Sequence, residues 1–172
     1  MIFVTVGTSF PFDRLIRAVE KLVDQRLISD SVFAQVGIRG YCTKSFECVE
    51  VLEKQEFDQR FQDADAVIAH AGMGTISTAL SLNKPLLVVP RLKEYGELVN
   101  GHQEVAARKF ARLGHVLAAF SEDQLFERVS DLWTFEPVPR ICRVDGVSER
   151  VAELISDRMS ALSEPSAGPR LS

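Results

Sequence analysis

The chain reads as an α/β domain built on a mostly parallel sheet, and three observations predict it. Short apolar runs at Ile2–Val6, Ala66–Ala69 and Pro85–Val89 lack the alternation of a half-exposed strand and fit strands buried on both faces. Helical stripes stand between such runs. Glycine or polar residues follow them, at Gly7, Gly37 and His70–Gly74, as strand-to-helix turns require.

The elements follow in order. Ile2 to Val6 is a strand, ended by Gly7. From Asp13, the residues Leu15, Ile16, Val19, Leu22, Val23 and Leu27 form one helical stripe. Ser31 to Val36 is a second strand, stopped by Gly37, and Glu47 to Leu52 a weaker third. The polar stretch Glu56 to Asp63 predicts a short helix, and Ala66 to Ala69 is a strand that runs into His70-Ala-Gly-Met-Gly74. Thr75 to Leu82 is helical, Asn83-Lys84 turns, and Pro85 to Val89 is the next strand. A charged loop, Pro90 to Gly101, leads to a helix over His102 to Leu113, with Gly114 suited to the left-handed position that ends it. His115 to Ala119 is strand-like, and Glu122 to Leu132 is a helix with Leu125, Val129 and Leu132 on one face. These elements make one domain, residues 1–135. Phe135-Glu-Pro-Val-Pro139 opens a stiff linker over 136–145. Residues 146–162 form an amphipathic helix, and the Ser/Pro/Gly-rich residues 163–172 are expected to be disordered.

Composition bounds the function. The chain has 172 residues with 46% apolar and 26% charged, which excludes extensive disorder. A net charge of −4 argues against a nucleic-acid partner. No apolar stretch approaches the ~20 residues of a spanning helix. The first residues carry no basic leader, which points to the cytoplasm. Cys42, Cys48 and Cys142 are an odd, sparse set that fits a reducing compartment better than a disulfide scaffold.

In open parallel sheets ligands bind at the carboxyl ends of the strands, so three loops are the candidates. In the first, Gly7 permits close approach of a ligand, and Thr8 and Ser9 offer hydroxyls before a helix start. A plain strand-to-helix turn explains the same residues. In the second, Gly72, Met73, Gly74 and Thr75 precede or open a helix, where backbone N–H groups can cradle a phosphate. His70 there is either a ligand contact or a packed, capping histidine. Ser77 stands where a third glycine of a dinucleotide fingerprint would fall, and no triphosphate P-loop exists. The third loop combines Arg91, Lys93, Glu94, Tyr95, Asn100, His102 and Gln103, donors and acceptors of the kind that read sugar hydroxyls, or else a solvated surface.

Taken together, Gly7-Thr-Ser-Phe10, His70-Ala-Gly-Met-Gly-Thr75, Lys84-Pro-Leu-Leu-Val-Val-Pro90 and Asn100-Gly-His-Gln103 resemble the donor-binding half of the GT-B glycosyltransferases, of the family 28 C-terminal type. They are most similar to its small split subunits, both the dolichol-pathway N-acetylglucosaminyltransferase type and the bacterial exopolysaccharide (PssE-like) type. The resemblance covers about residues 1–120 and implies a single Rossmann-like half with helices on both faces of the sheet. It further implies that Gly7, Thr8 and Ser9 face the diphosphate and that His70, Gly72, Met73, Gly74 and Thr75 hold diphosphate and sugar. Glu94, Asn100, His102 and Gln103 match the segment that contacts donor sugar and phosphate. Where relatives carry an acidic residue for the ribose, this chain has Thr78.

The implied activity is transfer of a sugar from a UDP-sugar to a polyprenyl-diphosphate-linked acceptor, at the inner face of a membrane, with a membrane-anchored acceptor-binding subunit as partner. No catalytic base is assigned, since it belongs to the other half. The exopolysaccharide resemblance implies glucuronic acid, with Arg91 and Lys93 meeting its carboxylate. No metal or other cofactor is expected: Asp63-Ala-Asp65 has the letters of a metal motif but sits at a helix end before a buried strand. The helix over 146–162 would dock the partner by the same resemblance, or pack on its own sheet. A non-catalytic accessory module and another Rossmann-type nucleotide enzyme are the alternative functions.

Overall fold

The computed structural model describes residues 1–8, 10–97 and 101–139. Ser9, Asn100 and the expected helix over 146–162 therefore lie outside the described residues, as do most of the linker and the tail.

The strands are β1 (Ile2–Thr5), β2 (Val32–Gln35), β3 (Glu47–Val49), β4 (Ala66–His70), β5 (Leu86–Val89) and β6 (Leu117–Ala118). They form one sheet in the order β3-β2-β1-β4-β5-β6, and every pairing among them is parallel. The helices are α1 (Asp13–Asp24), α2 (Lys54–Asp63), α3 (Met73–Ser81), α4 (His102–Arg112) and α5 (Glu122–Arg128), with 3-10 turns at Lys93–Tyr95 and Ser130–Trp133. The predicted Rossmann-like class is the class observed.

The period of two along each strand divides the core. Val4, Ala34, Ile68 and Leu87 face one layer, where α1 brings Leu15, Ile16, Val19 and Leu22 and α5 brings Leu125. Phe3, Phe33, Val67, Leu86 and Val88 face the other, against Phe61 of α2, Ile76 of α3 and Ala107 of α4. Phe3 meets Phe57 and Phe61 edge-on, with ring centroids 5.5 and 6.0 Å apart. Both faces are covered, which is why the central strands read as unbroken apolar runs. The strand order reverses between β1 and β4, so their carboxyl ends border the crevice where such sheets bind ligands.

Several boundaries differ from expectation for local reasons. The α1 stripe does not reach Leu27: Arg26 takes a φ of 59°, and the amides of Leu27 and Ile28 both return to the Leu22 carbonyl. Leu27 therefore faces solvent. The α5 segment breaks at Val129 into a 3-10 turn, yet Leu132 remains buried. Helix α3 starts at Met73, two residues before the expected Thr75, which places Gly74 inside its first turn. Phe135–Pro139 is not a free spacer. Phe135 packs on the core, Val138 N–H donates to the Gly114 carbonyl at 2.9 Å, and the Val138 carbonyl meets His115 Nδ1 at 2.6 Å. Gly114 has the expected left-handed φ of 71° and lies under the Val138 side chain.

The cysteine reading is corrected. Cys42 and Cys48 are joined as a disulfide across the β2–β3 connection, with Cα atoms 6.0 Å apart, so these two are not free thiols. The connection folds back so that position 42 lies beside β3, a proximity that spacing alone does not reveal. Asp63 closes α2 and accepts from Gln59 at 2.9 Å, while Asp65 pairs with the amino group of Met1. Both acids of the metal-like triplet thus have structural partners.

Candidate functional site

The turns after β1 and β4 interlock through one imidazole. Gly7 follows β1 with a φ of +81°, and a Cβ there would stand 3.0 Å from His70 Cε1. Glycine is therefore needed for conformation and for space. His70 ends β4, and a Cβ on Gly72 would fall 2.2 Å from its Nε2. The ring fills the gap between the two turns, with Nδ1 a long 3.5 Å from the Thr5 carbonyl. Burial, and secondarily the Arg91 charge, pushes the His70 pKa down to about 4, against a small opposing pull from the Thr5 carbonyl. The imidazole is neutral at neutral pH.

Because the native state resists protonation at His70, its stability is full above the ordinary pKa of 6.5 and declines as pH falls from 6.5 towards 4. We expect a loss of about 2 kcal/mol between pH 7 and pH 5, read by chemical denaturation. His70→Asn should flatten that interval, and an unchanged slope in this variant would remove the assignment.

Gly74 is the opposite kind of glycine. Nothing lies within 4 Å of where its Cβ would be. Gly72 is the N-cap of α3 in extended conformation, no side chain caps the helix, and the first intrahelical bond runs from Ile76 N–H to the Gly72 carbonyl. The N–H groups of Met73, Gly74 and Thr75 precede that bond, and such a helix start carries a positive partial charge. Thr75 is buried and Met73 half exposed. The Thr78 hydroxyl donates back to the Gly74 carbonyl at 3.0 Å.

The third loop is tied down from beneath. Arg91 is only 4% exposed, and its guanidinium donates to the carbonyls of Val6, Phe10 and Pro11 at 2.9, 2.7 and 2.7 Å. These bonds hold the turn after β1, so Arg91 serves chain folding rather than standing free to grip a sugar carboxylate. Arg14 of α1 grips Glu97 with two bonds of 2.8 and 2.9 Å and donates to the Pro90 carbonyl at 3.0 Å. Glu97 also accepts from Leu92 N–H at 2.9 Å, and the Gln103 side-chain oxygen accepts from Arg91 N–H at 3.1 Å.

Two cavities meet at this junction. The larger, about 450 Å³, is lined by Gln35, Leu52, Lys54, Phe57, Gly74, Thr75 and Thr78 together with Gly7, Thr8 and His70. The smaller, about 230 Å³, shares Gly7, Thr8 and His70 and adds Val6, Phe10, Arg91 and Gln103. Of the residues singled out from sequence, Gly7, Thr8, His70, Gly74, Thr75, Arg91 and Gln103 converge here. Gly72 sits against the His70 ring, and Met73 lines neither cavity. Lys93 and Glu94 instead line a separate depression with Glu104, Arg108 and Phe120, and His102 is exposed at the start of α4. Sequence reading missed Arg14, Glu97 and Gln35. Arg14 and Glu97 meet only through the fold, 83 positions apart in the chain.

This sheet order, with glycine turns after β1 and β4 around one crevice, defines a Rossmann-like half of the GT-B type. A model of the glycosyltransferase family 28 C-terminal domain matches residues 1–140, and the chain belongs to that family. The human UDP-N-acetylglucosamine transferase subunit ALG13 is 36% identical over 124 residues, 67% of this chain and 10% of that protein. Its Saccharomyces cerevisiae counterpart is 45% identical over 53 residues, 31% of this chain and 24% of its own. The chain thus spans a tenth to a quarter of these relatives' lengths. Among solved structures, the solution structure of ALG13 is similar with a TM-score of 0.55 at 24% identity, covering 87% of this chain and 93% of that one. The Methanocaldococcus jannaschii UDP-GlcNAc 2-epimerase gives a TM-score of 0.59 at 10% identity, covering 90% of this chain and 44% of that one. Both likenesses concern the fold.

Proposed function

We propose that this chain is the donor-binding subunit of a glycosyltransferase that takes a sugar from a UDP-sugar to a polyprenyl-diphosphate-linked acceptor. A membrane-anchored partner at the inner face of the membrane completes the site. The observation that carries this reading is the pair of cavities that share Gly7, Thr8 and His70 beside the uncapped start of α3. A nucleoside suits the larger cavity, whose walls mix apolar Leu52 and Phe57 with polar Gln35 and Thr78. A sugar suits the smaller one, near Gln103. The diphosphate then falls at the junction, where the N–H groups of the α3 start and its dipole oppose its charge.

The chemistry follows from that placement. Breaking the bond from sugar to diphosphate leaves charge on the departing phosphate oxygen, and fixed N–H donors stabilise it without reorganising. The rest of the domain supplies orientation, held by the Arg91 and Arg14–Glu97 bonds under the loops. His70, kept neutral, packs the two turns and brings no cation of its own.

Since the helix start meets the diphosphate charge, transfer should need no divalent ion. The donor we favour carries N-acetylglucosamine rather than glucuronic acid. The curated relatives are named for that sugar, and Arg91 is bonded to three carbonyls. The test is the reconstituted two-subunit enzyme treated with EDTA, with competing UDP-sugars. Undiminished transfer and preference for UDP-N-acetylglucosamine are expected. Complete loss restored by Mg²⁺, or preference for the acidic sugar, would contradict these assignments.

A further inference from the structure

Gln35 ends β2 at the carboxyl edge of the sheet and is fully buried. Its Oε1 accepts from the Thr5 hydroxyl at 3.1 Å, and Thr5 Oγ1 accepts from Gly7 N–H at 3.2 Å. The Thr5 hydroxyl thus donates its one proton to the amide oxygen and accepts from Gly7 N–H on one of its two lone pairs. The other end, Nε2, has no partner, the one such atom among the buried side-chain nitrogens and oxygens of the described residues. Gln35 also lines the larger cavity, beside Thr75, Thr78 and Phe57.

A buried N–H without an acceptor is destabilising, and Leu or Met would fill the same space without that cost. We propose that Gln35 reads the ligand of this cavity: its Nε2 donates to an acceptor oxygen of the bound nucleoside diphosphate, while Thr5 couples its position to the Gly7 turn. The nitrogen is buried in a residue that lines the cavity, and the terminal torsion of a glutamine is soft, so a rotation can turn the N–H to a ligand oxygen. This inference rests on reading the cavity as the nucleoside-diphosphate site.

The test compares the wild-type 172-residue chain with Gln35→Met and Gln35→Glu, titrated with UDP and with uridine, with thermal unfolding measured in parallel. Gln35→Met is expected to melt at or above the wild-type temperature while its UDP affinity falls about 10- to 100-fold. Gln35→Glu keeps an acceptor for Thr5 but has no N–H, and should lose affinity as well. Loss for UDP alone puts the acceptor on the diphosphate; loss for uridine too puts it on the nucleoside. In amide-resolved spectra the Gln35 side-chain protons of the wild type should move downfield when UDP is added. Wild-type affinity in Gln35→Met would overturn the role of Gln35 while leaving the cavity reading intact. A melting temperature that drops in step with affinity would reduce it to a packing residue. Failure of the wild type to bind UDP would remove the cavity reading and this inference together.

Discussion

Gly74→Asp should leave the protein folded and abolish transfer. Nothing stands within 4 Å of the position its Cβ would take, so the fold has room for the side chain. Its carboxylate would project from the first turn of α3, beside the proposed diphosphate. Two like charges about 4 Å apart repel by about 4 kcal/mol at an effective dielectric of ~20, on the order of 10³-fold in affinity. Circular dichroism, melting and UDP-sugar titration read the two effects separately. Gly72→Ala is the internal control, since its Cβ would collide with His70 at 2.2 Å from Nε2 and must displace the ring. That variant should lose stability and binding together. A Gly74→Asp protein with full affinity would show that the α3 start does not face the donor.

The largest effect on stability is expected at Arg91. Its guanidinium bridges the carbonyls of Val6, Phe10 and Pro11, and it stacks 4.8 Å from the centre of the Phe12 ring. Arg91→Met keeps much of the volume but leaves three carbonyls without their donor, that of Val6 in the buried interior. We expect a loss of about 3–5 kcal/mol, which for a domain of this size lowers the melting temperature by on the order of 10 °C. Arg91→Lys should not rescue it, because a single ammonium lacks the planar fork that reaches three acceptors. Donor affinity should fall with stability, since the Gly7–Thr8 turn hangs on the same bonds. A variant that melts like the wild type would mean that the turn is held by something else.

The contrast between Arg91 and Gly74 shows what was legible in the chain. The central strands β1, β4 and β5 are visible as apolar runs because burial on both faces removes the polar alternation that otherwise blurs a strand, whereas the edge strand β3, Glu-Cys-Val and partly exposed, carries a weaker signal. The turns after β1 and β4 stood out because glycine at those places has few other uses. What could not be read were partnerships across long stretches of chain. Arg14 and Glu97 lie 83 positions apart, and Arg91 and Val6 lie 85 apart, so no local pattern marks them. Arg91 therefore read as a cation awaiting an anionic ligand, when its neighbours are carbonyls. Gln35 falls inside the expected strand Ser31–Val36, and no local pattern sets it apart there. The Cys42–Cys48 bond was missed because the path of the β2–β3 connection, not the spacing, brings the sulfurs together. The α3 start was placed two residues late because Met73 and Gly74 have the look of a loop, and their membership of the helix depends on Gly72 acting as its cap.

The proposed nucleotide-sugar site lies within one chain, between the turns after β1 and β4. Calorimetric titration of the 172-residue chain with UDP-N-acetylglucosamine, UDP and NAD is the decisive measurement. Both cavities are lined by residues of this chain, so binding should not wait for a partner. We expect one-to-one binding of UDP-N-acetylglucosamine, competition by UDP and no heat with NAD. Binding of NAD, or no binding of either uridine nucleotide, would contradict it.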